Sequence, residues 1–200
     1  MQLTANMLHR LAHDRRGVAA IEFAFAMPVM ALMLMALFDL GFQIYAQSIL
    51  QGSVQQAARA STLATGGTSA NALDSSVAVS VHQVIPNAQL AFVRKTYSNF
   101  EDVGLAEEFT DTNNDGICNN GEAFEDVNDN GTWDADRGAD GVGGARDAVL
   151  YSVTASNPRV FPFHNFVGLP AQIVVDGSTV LRNQPFDEQA NRSPELGSCT

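Results

Sequence analysis

Residues 18–40, VAAIEFAFAMPVMALMLMALFDL, decide the architecture of this chain, because they form one almost wholly apolar run. A membrane-spanning helix needs about 20 apolar residues in succession. At about 1.5 Å of rise per residue, the stretch from Val18 to Phe38 extends roughly 31 Å as a helix, which is enough to cross the hydrocarbon core of a bilayer. The sequence therefore predicts one N-terminal membrane anchor.

The charges around this run predict its orientation. Three arginines precede it, at Arg10, Arg15 and Arg16, and no Lys or Arg follows until Arg59. Positively charged residues favour the cytoplasmic side. We therefore expect a single-pass membrane protein with its N-terminus in the cytoplasm and the bulk of the chain outside it. A cleaved secretory signal would have an apolar run of about 7–15 residues, and this run is longer.

One acid inside the run, Glu22, marks a functional position. A charged side chain within the bilayer costs about 2.5–3.5 kcal/mol on insertion scales, so such residues are usually paired and functional. The surrounding residues 15–24, RRGVAAIEFA, resemble the N-terminus of TadE-like proteins, the pseudopilins of tight-adherence (Tad) pilus machinery. That family has a basic leader, a glycine, and then an apolar helix with glutamate at its fifth position. Glu22 is fifth when counted from Val18, and Pro28 and the ending FDLG at 38–41 are also similar to the family.

This resemblance implies how the chain is processed and assembled. A prepilin peptidase on the cytoplasmic face would cleave between Gly17 and Val18, and Glu22 would meet the freed amine of a neighbouring subunit. In a low-dielectric medium, an opposite charge at contact offsets much of the cost of burying an acid. The implied function is that of a minor pilin or pseudopilin in the assembly of a Tad (type IVc-like) pilus. Its implied location is the bacterial inner membrane, with the C-terminal part in the periplasm, and its implied partners are other pilins and the assembly machinery.

Two alternatives stay open from the residues alone. The chain is an uncleaved signal anchor with a protonated Glu22, or it is a membrane-tethered calcium-binding adhesion or interaction module that has no part in a pilus.

The rest of the chain predicts an α+β fold, in which a long N-terminal pilin-like helix is followed by a small antiparallel-sheet domain. Helical spacing continues past the membrane to about residue 60 through an apolar stripe, Phe42, Tyr45, Ile49, Val54 and Ala57. A second, short helix is predicted by Leu73, Val77, Val81 and Ile85, and it stops at Pro86. Runs rich in Val, Phe, Tyr and Thr predict strands at Gln89–Ser98, Ala148–Ala155 and Ala171–Leu181.

The predicted organisation has three parts. A basic leader covers residues 1–17, the transmembrane and extended helix covers 18–60, and the extracytoplasmic domain covers 61–200, with an acidic insertion at 107–145. Gly66-Gly67 ends the helical pattern and is typical of a linker.

Acidic residues are concentrated in that insertion. Fourteen of the 22 Asp and Glu residues lie between residues 101 and 150, where only Arg137 and Arg146 oppose them. The net charge of −11 therefore describes one acidic block. This block argues against nucleic-acid binding, which needs a basic surface. It suits either a hard cation or a soluble acidic loop.

The first part of the insertion fits a calcium loop of EF-hand type over its full length, from Asp111 to Glu122. Calcium takes six to eight oxygen ligands at about 2.3–2.6 Å, and alternate side chains converge on one point as such a loop curls. Gly116 permits the sharp turn at the sixth position. The predicted ligands are Asp111, Asn113, Asp115, the Ile117 carbonyl, Asn119 and Glu122.

A second, weaker copy begins at Asp126. Its twelfth position is Arg137, which cannot supply the closing carboxylate, so Asp136 or Asp140 would have to substitute, or the two loops would share ligands. The predicted ligands are Asp126, Asn128, Asn130, the Thr132 carbonyl, Asp134 and Asp136. We therefore expect Ca²⁺ as the cofactor of the outer domain, and the alternative is a flexible acidic loop.

No catalytic constellation is visible, so we do not expect an enzyme. Two cysteines, Cys118 and Cys199, are too few for a disulfide framework. They form one bridge in an oxidising compartment or remain two free thiols, and the sequence leaves both readings open.

Overall fold

The computed structural model describes residues 17–63, 70–183 and 193–200. Residues 1–16 of the predicted leader and the predicted Gly66-Gly67 linker lie outside the described residues.

The N-terminal anchor is the beginning of one continuous helix, α1 (Val18–Leu63), which has 46 residues and contains Pro28. Among the described residues it is the one helix that is long and apolar enough to cross a membrane, and none of its apolar window is buried against protein. An apolar helix surface without protein cover is what lipid requires, whereas the core helix of a soluble protein would be buried.

The remaining elements form the α+β arrangement that the sequence predicts. Helix α2 spans Ala70–His82 and buries Val77 and Val81. The strands are β1 (Gln89–Tyr97), β2 (Ala123–Asp126), β3 (Ala139–Asp140), β4 (Ala148–Pro158), β5 (Gln172–Arg182) and β6 (Glu195–Ser198), and a short helix α3 (His164–Val167) lies between β4 and β5. The fold class is confirmed.

Contacts divide the chain into two units. The first contains the part of α1 up to Gln43 together with residues 159–171. The second contains Ile44–Pro158 and Gln172–Thr200, and so includes the C-terminal part of α1, from Ile44 to Leu63.

The second unit is built on a four-stranded antiparallel sheet in the order β3-β1-β4-β5. The central strand β4 pairs along its whole length with β5, from Ala148↔Arg182 to Pro158↔Gln172. Its residues alternate between buried and half-buried positions, as expected for a strand with one face on the core. All three predicted strands are present: β4 extends three residues beyond its predicted end, β1 ends one residue earlier, and β5 is shifted by one residue.

The C-terminal part of α1, beyond Gln43, covers this sheet. Its buried stripe consists of Ala46, Leu50, Val54 and Ala57, which recur at helical spacing. Two glutamines beside the stripe bind the backbone of β5: Gln47 Nε2 donates to the carbonyl of Asp176 (2.5 Å) and Gln51 Nε2 donates to that of Ser178 (3.0 Å). Between those carbonyls, Gly177 lets the helix approach, because a Cβ there would be 3.0 Å from Leu50 Cγ.

Candidate functional site

The predicted processing site lies at the very beginning of α1. Gly17 immediately precedes the helix, and Val18 is its first residue. Glu22 is exposed and lies four residues further, so it shares a helix face with Val18. An amine created at Val18 by cleavage would therefore lie about one helical turn from the Glu22 carboxylate of its own chain, on a face open to a neighbouring helix.

The first acidic loop, residues 111–122, folds around the carboxylate of Asp111. Its Oδ1 accepts hydrogen bonds from the N–H groups of Asn114 (2.6 Å) and Asp115 (3.2 Å), and its Oδ2 accepts one from Gly116 (2.9 Å). Asn114 and Gly116 both have positive φ, at 61° and 76°. The chain thus curls tightly around its first position, as the calcium-loop pattern predicts, and the turn requires the glycine.

The other side chains of this loop converge on one point. Asn113 Nδ2 and Asn119 Nδ2 both donate to Asp115 Oδ2, each at 2.9 Å. These hydrogen bonds lower the pKa of Asp115, and the bond from Asn119 has the largest effect. Ile117 follows the turn, and its N–H donates to Asp115 Oδ1 (2.8 Å). The structure therefore brings together the third, fifth and ninth positions of the predicted ligand set.

Glu122 closes the first loop. Its side chain is buried, and its Oε1 accepts hydrogen bonds from the Thr112 N–H (2.7 Å) and hydroxyl (2.9 Å). Its Oε2 accepts one from the N–H of Asn119 (3.3 Å). The Thr112 N–H has the largest effect in lowering the pKa of Glu122. A carboxylate at the twelfth position is therefore fixed between the second and ninth positions of the loop.

The second loop, residues 126–137, repeats the turn of the first. Asp126 Oδ1 accepts from the Asn130 N–H (3.2 Å), and its Oδ2 accepts from that of Gly131 (2.6 Å). The positive φ angles recur at the same positions, 60° at Asp129 and 77° at Gly131. Thr132, at the seventh position, donates its N–H to Asn130 Oδ1 (2.8 Å). The weaker sequence copy therefore makes the same turn as the complete one between its first and seventh positions.

The polar side chains of the second loop also converge. Asn128 Nδ2 (2.9 Å) and Asn130 Nδ2 (2.6 Å) both donate to Asp134 Oδ2. The Oδ1 atom of Asn128 is buried and has no hydrogen-bond partner within the described part of the chain. A buried oxygen without a donor is unfavourable, and at the third position of a calcium loop this oxygen is a natural ligand for the ion. The residues present thus fit a cation.

Asp136, the predicted substitute for the closing acid, makes contacts with β1. Its carboxylate accepts a hydrogen bond from the Tyr97 hydroxyl (2.9 Å) and pairs with Lys95 Nζ (3.0 Å). Burial alone would raise the pKa of Asp136, but its hydrogen bonds with Lys95, the Gly138 N–H and Tyr97 outweigh burial and lower it. The carboxylate of Asp136 therefore binds side chains of β1 and does not lie with the other predicted ligands.

Arg137, at the twelfth position, binds the segment that precedes the first loop. Its Nε donates to the carbonyl of Ala106 (3.0 Å), its N–H donates to that of Leu105 (2.9 Å), and its guanidinium pairs with Asp102 (3.4 Å).

Glu107 is the residue that sequence reasoning missed. Its side chain is only 2% exposed. Its Oε1 accepts from the N–H of Val127 (2.9 Å) and its Oε2 accepts from that of Asp134 (3.0 Å). These are the second and ninth positions of the second loop, the same two positions that Glu122 binds in the first.

A repeat in the sequence could have revealed this glutamate. Residues 107–116, EEFTDTNNDG, recur fifteen residues later as 122–131, EAFEDVNDNG. The repeated unit thus begins with glutamate, four residues before the first aspartate of each loop.

A disulfide fastens the first loop to the last strand. Cys118 is bonded to Cys199, and their Cα atoms are 5.4 Å apart. Around the bridge, the Cys199 N–H donates to the Glu122 carbonyl (2.8 Å) and the Gly121 N–H donates to that of Cys199 (2.9 Å). The bridge is thus continuous with the pairing of β2 and β6. The sequence left open whether the two cysteines are bonded or free, and in the structure they are bonded.

Within residues 17–63, 70–183 and 193–200, no group of three or more His, Cys, Asp or Glu side chains is gathered as a metal site. Calcium loops also take amide and backbone carbonyl oxygens, and Asn113, Asn119, Asn128 and Asn130 supply amides here.

Comparison with known proteins associates the anchor helix with one family. The family model of TadE-like proteins matches residues 17–59. No curated protein and no solved structure matches the chain. The matched residues include Gly17, Val18 and Glu22 and end within α1, so the match supports a membrane-associated protein of a Tad pilus system, and the outer domain lies beyond it.

Proposed function

We propose that this chain is a minor pilin or pseudopilin that takes part in assembling a Tad pilus and carries a calcium-stabilised domain outside the cytoplasm. The TadE-like match to residues 17–59 is the observation that carries this proposal. It coincides with an exposed apolar helix that begins at Val18 and has Glu22 on its surface. We do not propose an enzymatic activity.

Processing and assembly follow from the beginning of α1. A prepilin peptidase removes the basic leader after Gly17. The new amine of Val18 then lies in the membrane, at the N-terminus of the helix α1. The Glu22 carboxylate of a neighbouring subunit pairs with that amine, because neither charge is stable alone in lipid. The protein is held in the inner membrane with its outer domain in the periplasm until other pilins and the assembly machinery take it up.

The assembly role is tested with Glu22→Ala in the full-length protein, and Glu101→Ala, which removes an exposed acid of the outer domain, is the control. We expect both variants to insert into the membrane, and only Glu22→Ala to lose pilus production. N-terminal sequencing of the mature protein should begin at Val18. A mature chain that keeps its leader, or normal pili with Glu22→Ala, would contradict the pilus role and favour a tethered adhesion module.

The calcium role is tested by thermal unfolding of the full-length protein in detergent. Extracellular calcium sites have dissociation constants of about 10⁻⁴–10⁻³ M. At a free calcium concentration of about ten times such a constant, each site adds about 1.4 kcal/mol to the free energy of unfolding, which raises Tm by roughly 3–6 °C. EDTA should remove this increase, and Asp115→Ala should remove the share of the first loop.

Glu125→Ala is the matched control for that experiment, because Glu125 is an exposed acid of the same insertion. It should respond to calcium and EDTA as the wild type does. A Tm that is indifferent to calcium in the wild type would refute the calcium role and leave the pilus role standing.

A further inference from the structure

We propose that Glu107 supplies the missing closing carboxylate of the second calcium loop, so that each loop is closed by the glutamate that begins the other repeat. This inference rests on the proposed calcium role of the insertion. It replaces Asp136 and Asp140 as candidates for closing the second loop, and it makes the two loops parts of one two-ion site.

The first argument is that the two glutamates make equivalent contacts. Glu122 binds the N–H groups of Thr112 and Asn119, at the second and ninth positions of the first loop. Glu107 binds those of Val127 and Asp134, at the same positions of the second loop. Since Asp111 and Asp126 also bind their loops alike, the carboxylate of Glu107 stands where a closing acid belongs.

The second argument is an approximate twofold relation between the repeats. Phe109 and Phe124, the third residues of the two repeats, face each other in an antiparallel bridge. Two hydrogen bonds of 2.8 Å flank that bridge, from Thr110 N–H to the Ala123 carbonyl and from Glu125 N–H to the Glu108 carbonyl. A twofold rotation that exchanges the phenylalanines also exchanges these bonds, and it carries each repeat's first glutamate onto the other's.

The third argument is electrostatic. With Glu107 in place of Asp136, the ligand set of the second loop has three carboxylates, Glu107, Asp126 and Asp134, as many as the ligand set of the first. No Lys or Arg pairs with Glu107 within the described ranges of the chain, although its side chain is 2% exposed. A buried carboxylate without a positive partner is strongly unfavourable, and so is the buried, unpartnered Oδ1 of Asn128 in the same loop. One calcium ion would satisfy both groups.

Arg137 then has a positioning role. Its side chain and its N–H bind the carbonyls of Ala106 and Leu105, which directly precede Glu107. The residue that cannot be a ligand thereby holds the segment that carries the substitute ligand.

Trp133 makes the second loop observable by itself. It is the only tryptophan of the chain, it is the eighth residue of that loop, and its Nε1 donates to the Glu107 carbonyl (2.9 Å). The full-length protein in detergent is titrated with Ca²⁺ while Trp133 fluorescence is recorded. Separately, Tb³⁺ is added and its luminescence is excited through Trp133. We expect Glu107→Gln to weaken both responses by roughly 100-fold or more, because the site loses a charged ligand.

Two further variants keep this test decisive. Glu108→Gln removes the same charge from the neighbouring side chain, which is 78% exposed, and it should leave the titration unchanged. Glu107→Asp keeps the charge but is too short to reach the ion with both oxygens, so it should weaken binding even if Glu107→Gln fails to fold. If the wild type binds with a Trp133 response and both Glu107 variants bind equally well, the crosswise closure is wrong while the calcium role stands. If the wild type gives no response, this inference fails, and the thermal unfolding with calcium and EDTA decides separately whether the first loop still binds the ion.

A separate observation concerns residues 159–171, which belong to the same unit as the membrane half of α1. This segment, RVFPFHNFVGLPA, exposes large apolar side chains, among them Val160, Phe166 and Val167. Exposed apolar residues of this number on one short segment mark a contact with a partner or a membrane.

The contacts of this segment with α1 indicate which of the two it meets. The rings of Phe161 and Phe38 have centroids 6.4 Å apart, and Phe38 ends the apolar run that is long enough to span the bilayer. Next to it, Arg159 pairs with Asp39, a carboxylate that is 3% exposed, and lies over the ring of Phe163 at 5.9 Å. The segment is thus fastened to the helix where the helix leaves the hydrocarbon core.

We infer that residues 159–171 lie in the outer headgroup region of the bilayer, with Phe166 and Val167 inserted among the lipid chains. Aromatic side chains favour this depth, and an arginine there keeps its charge near water or near an acid. The segment would act as a second, shallow membrane contact beside the spanning helix.

Depth-dependent quenching tests this placement. In a Trp133→Phe background, the full-length protein with Phe166→Trp is reconstituted in nanodiscs that contain brominated lipids, and Leu196→Trp, at an exposed position of β6, is the control. We expect brominated chains to quench Phe166→Trp several-fold more than Leu196→Trp. Equal quenching of the two variants would overturn the lipid assignment. If the fluorescence of Phe166→Trp instead depends on protein concentration and not on brominated lipid, the segment contacts a second copy of the chain.

Discussion

Breaking the Cys118–Cys199 bridge should destabilise the outer domain more than any change of a surface residue. The bridge joins residues separated by 81 positions, and a cross-link over a loop of this length lowers the entropy of the unfolded chain by an amount equivalent to about 4.5 kcal/mol. Cys199→Ser removes that term but leaves the pairing of β2 with β6 in place. We therefore expect a loss of roughly 3–4.5 kcal/mol in the free energy of unfolding, or a fall in Tm of roughly 10–15 °C.

The assay is urea unfolding of the full-length protein in detergent, at constant calcium, with Trp133 fluorescence as the signal. Cys118→Ser and the double variant should be as unstable as Cys199→Ser, because all three remove the same bond and their effects cannot add. Thiol labelling of the unfolded wild type should find no free cysteine. A single variant within about 0.5 kcal/mol of the wild type, or a double variant that costs twice as much as either single one, would refute the reasoning.

Three other changes probe the core and the sheet. Leu50→Ala, at a fully buried position of α1, should cost about 3–5 kcal/mol by leaving a cavity, as measured by urea unfolding. Burial and hydrogen bonds to carboxylates raise the pKa of Tyr97 and of Tyr151, so the free energy of unfolding should fall as the pH rises above about 10, and Tyr151→Phe should flatten that fall. Gly197→Ala places a Cβ inside contact distance of the Phe124 ring, which should cost about 1–3 kcal/mol.

Matched controls separate these effects from general fragility. Ile44→Ala shortens an exposed apolar side chain on the same helix as Leu50 and should change the free energy of unfolding by less than about 0.5 kcal/mol. Gly52→Ala meets nothing within 4 Å and should stabilise α1 slightly, since alanine is the better helix former. A loss with Ile44→Ala as large as that with Leu50→Ala would contradict the assigned core.

The anchor and the strands were predictable because their signals are local. An apolar run from Val18 to Phe38 has one economical explanation, and the three strand patterns are continuous in sequence. The face that α1 turns to the sheet was predicted less well. Tyr45 belongs to the predicted apolar stripe but is 54% exposed, whereas Ala46 is buried in its place. The prediction is therefore one residue early at Tyr45 and Ile49, where Ala46 and Leu50 are buried, and it is right at Val54 and Ala57.

Contacts between distant parts of the chain could not be predicted in the same way. Gln47 binds a carbonyl of β5, 129 residues away, and nothing in its own neighbourhood indicates this. The cysteine pairing was left open for a similar reason, since two cysteines carry no information about distance. Glu107 was missed because the calcium-loop pattern places the closing acid at the twelfth position of the loop. Glu107 precedes both loops in sequence, and only the folded chain brings it to the second and ninth positions of the second loop.

The proposed exchange of glutamates between the repeats has a consequence for how this insertion can be inherited. If the proposed closure holds, deleting one repeat of fifteen residues would leave the surviving loop without its closing carboxylate, so a single copy would bind calcium far more weakly than either loop of the pair. Such a unit should enter or leave related chains only as a complete pair, and any lineage that retains one copy should have acquired an acid at the twelfth position of that copy.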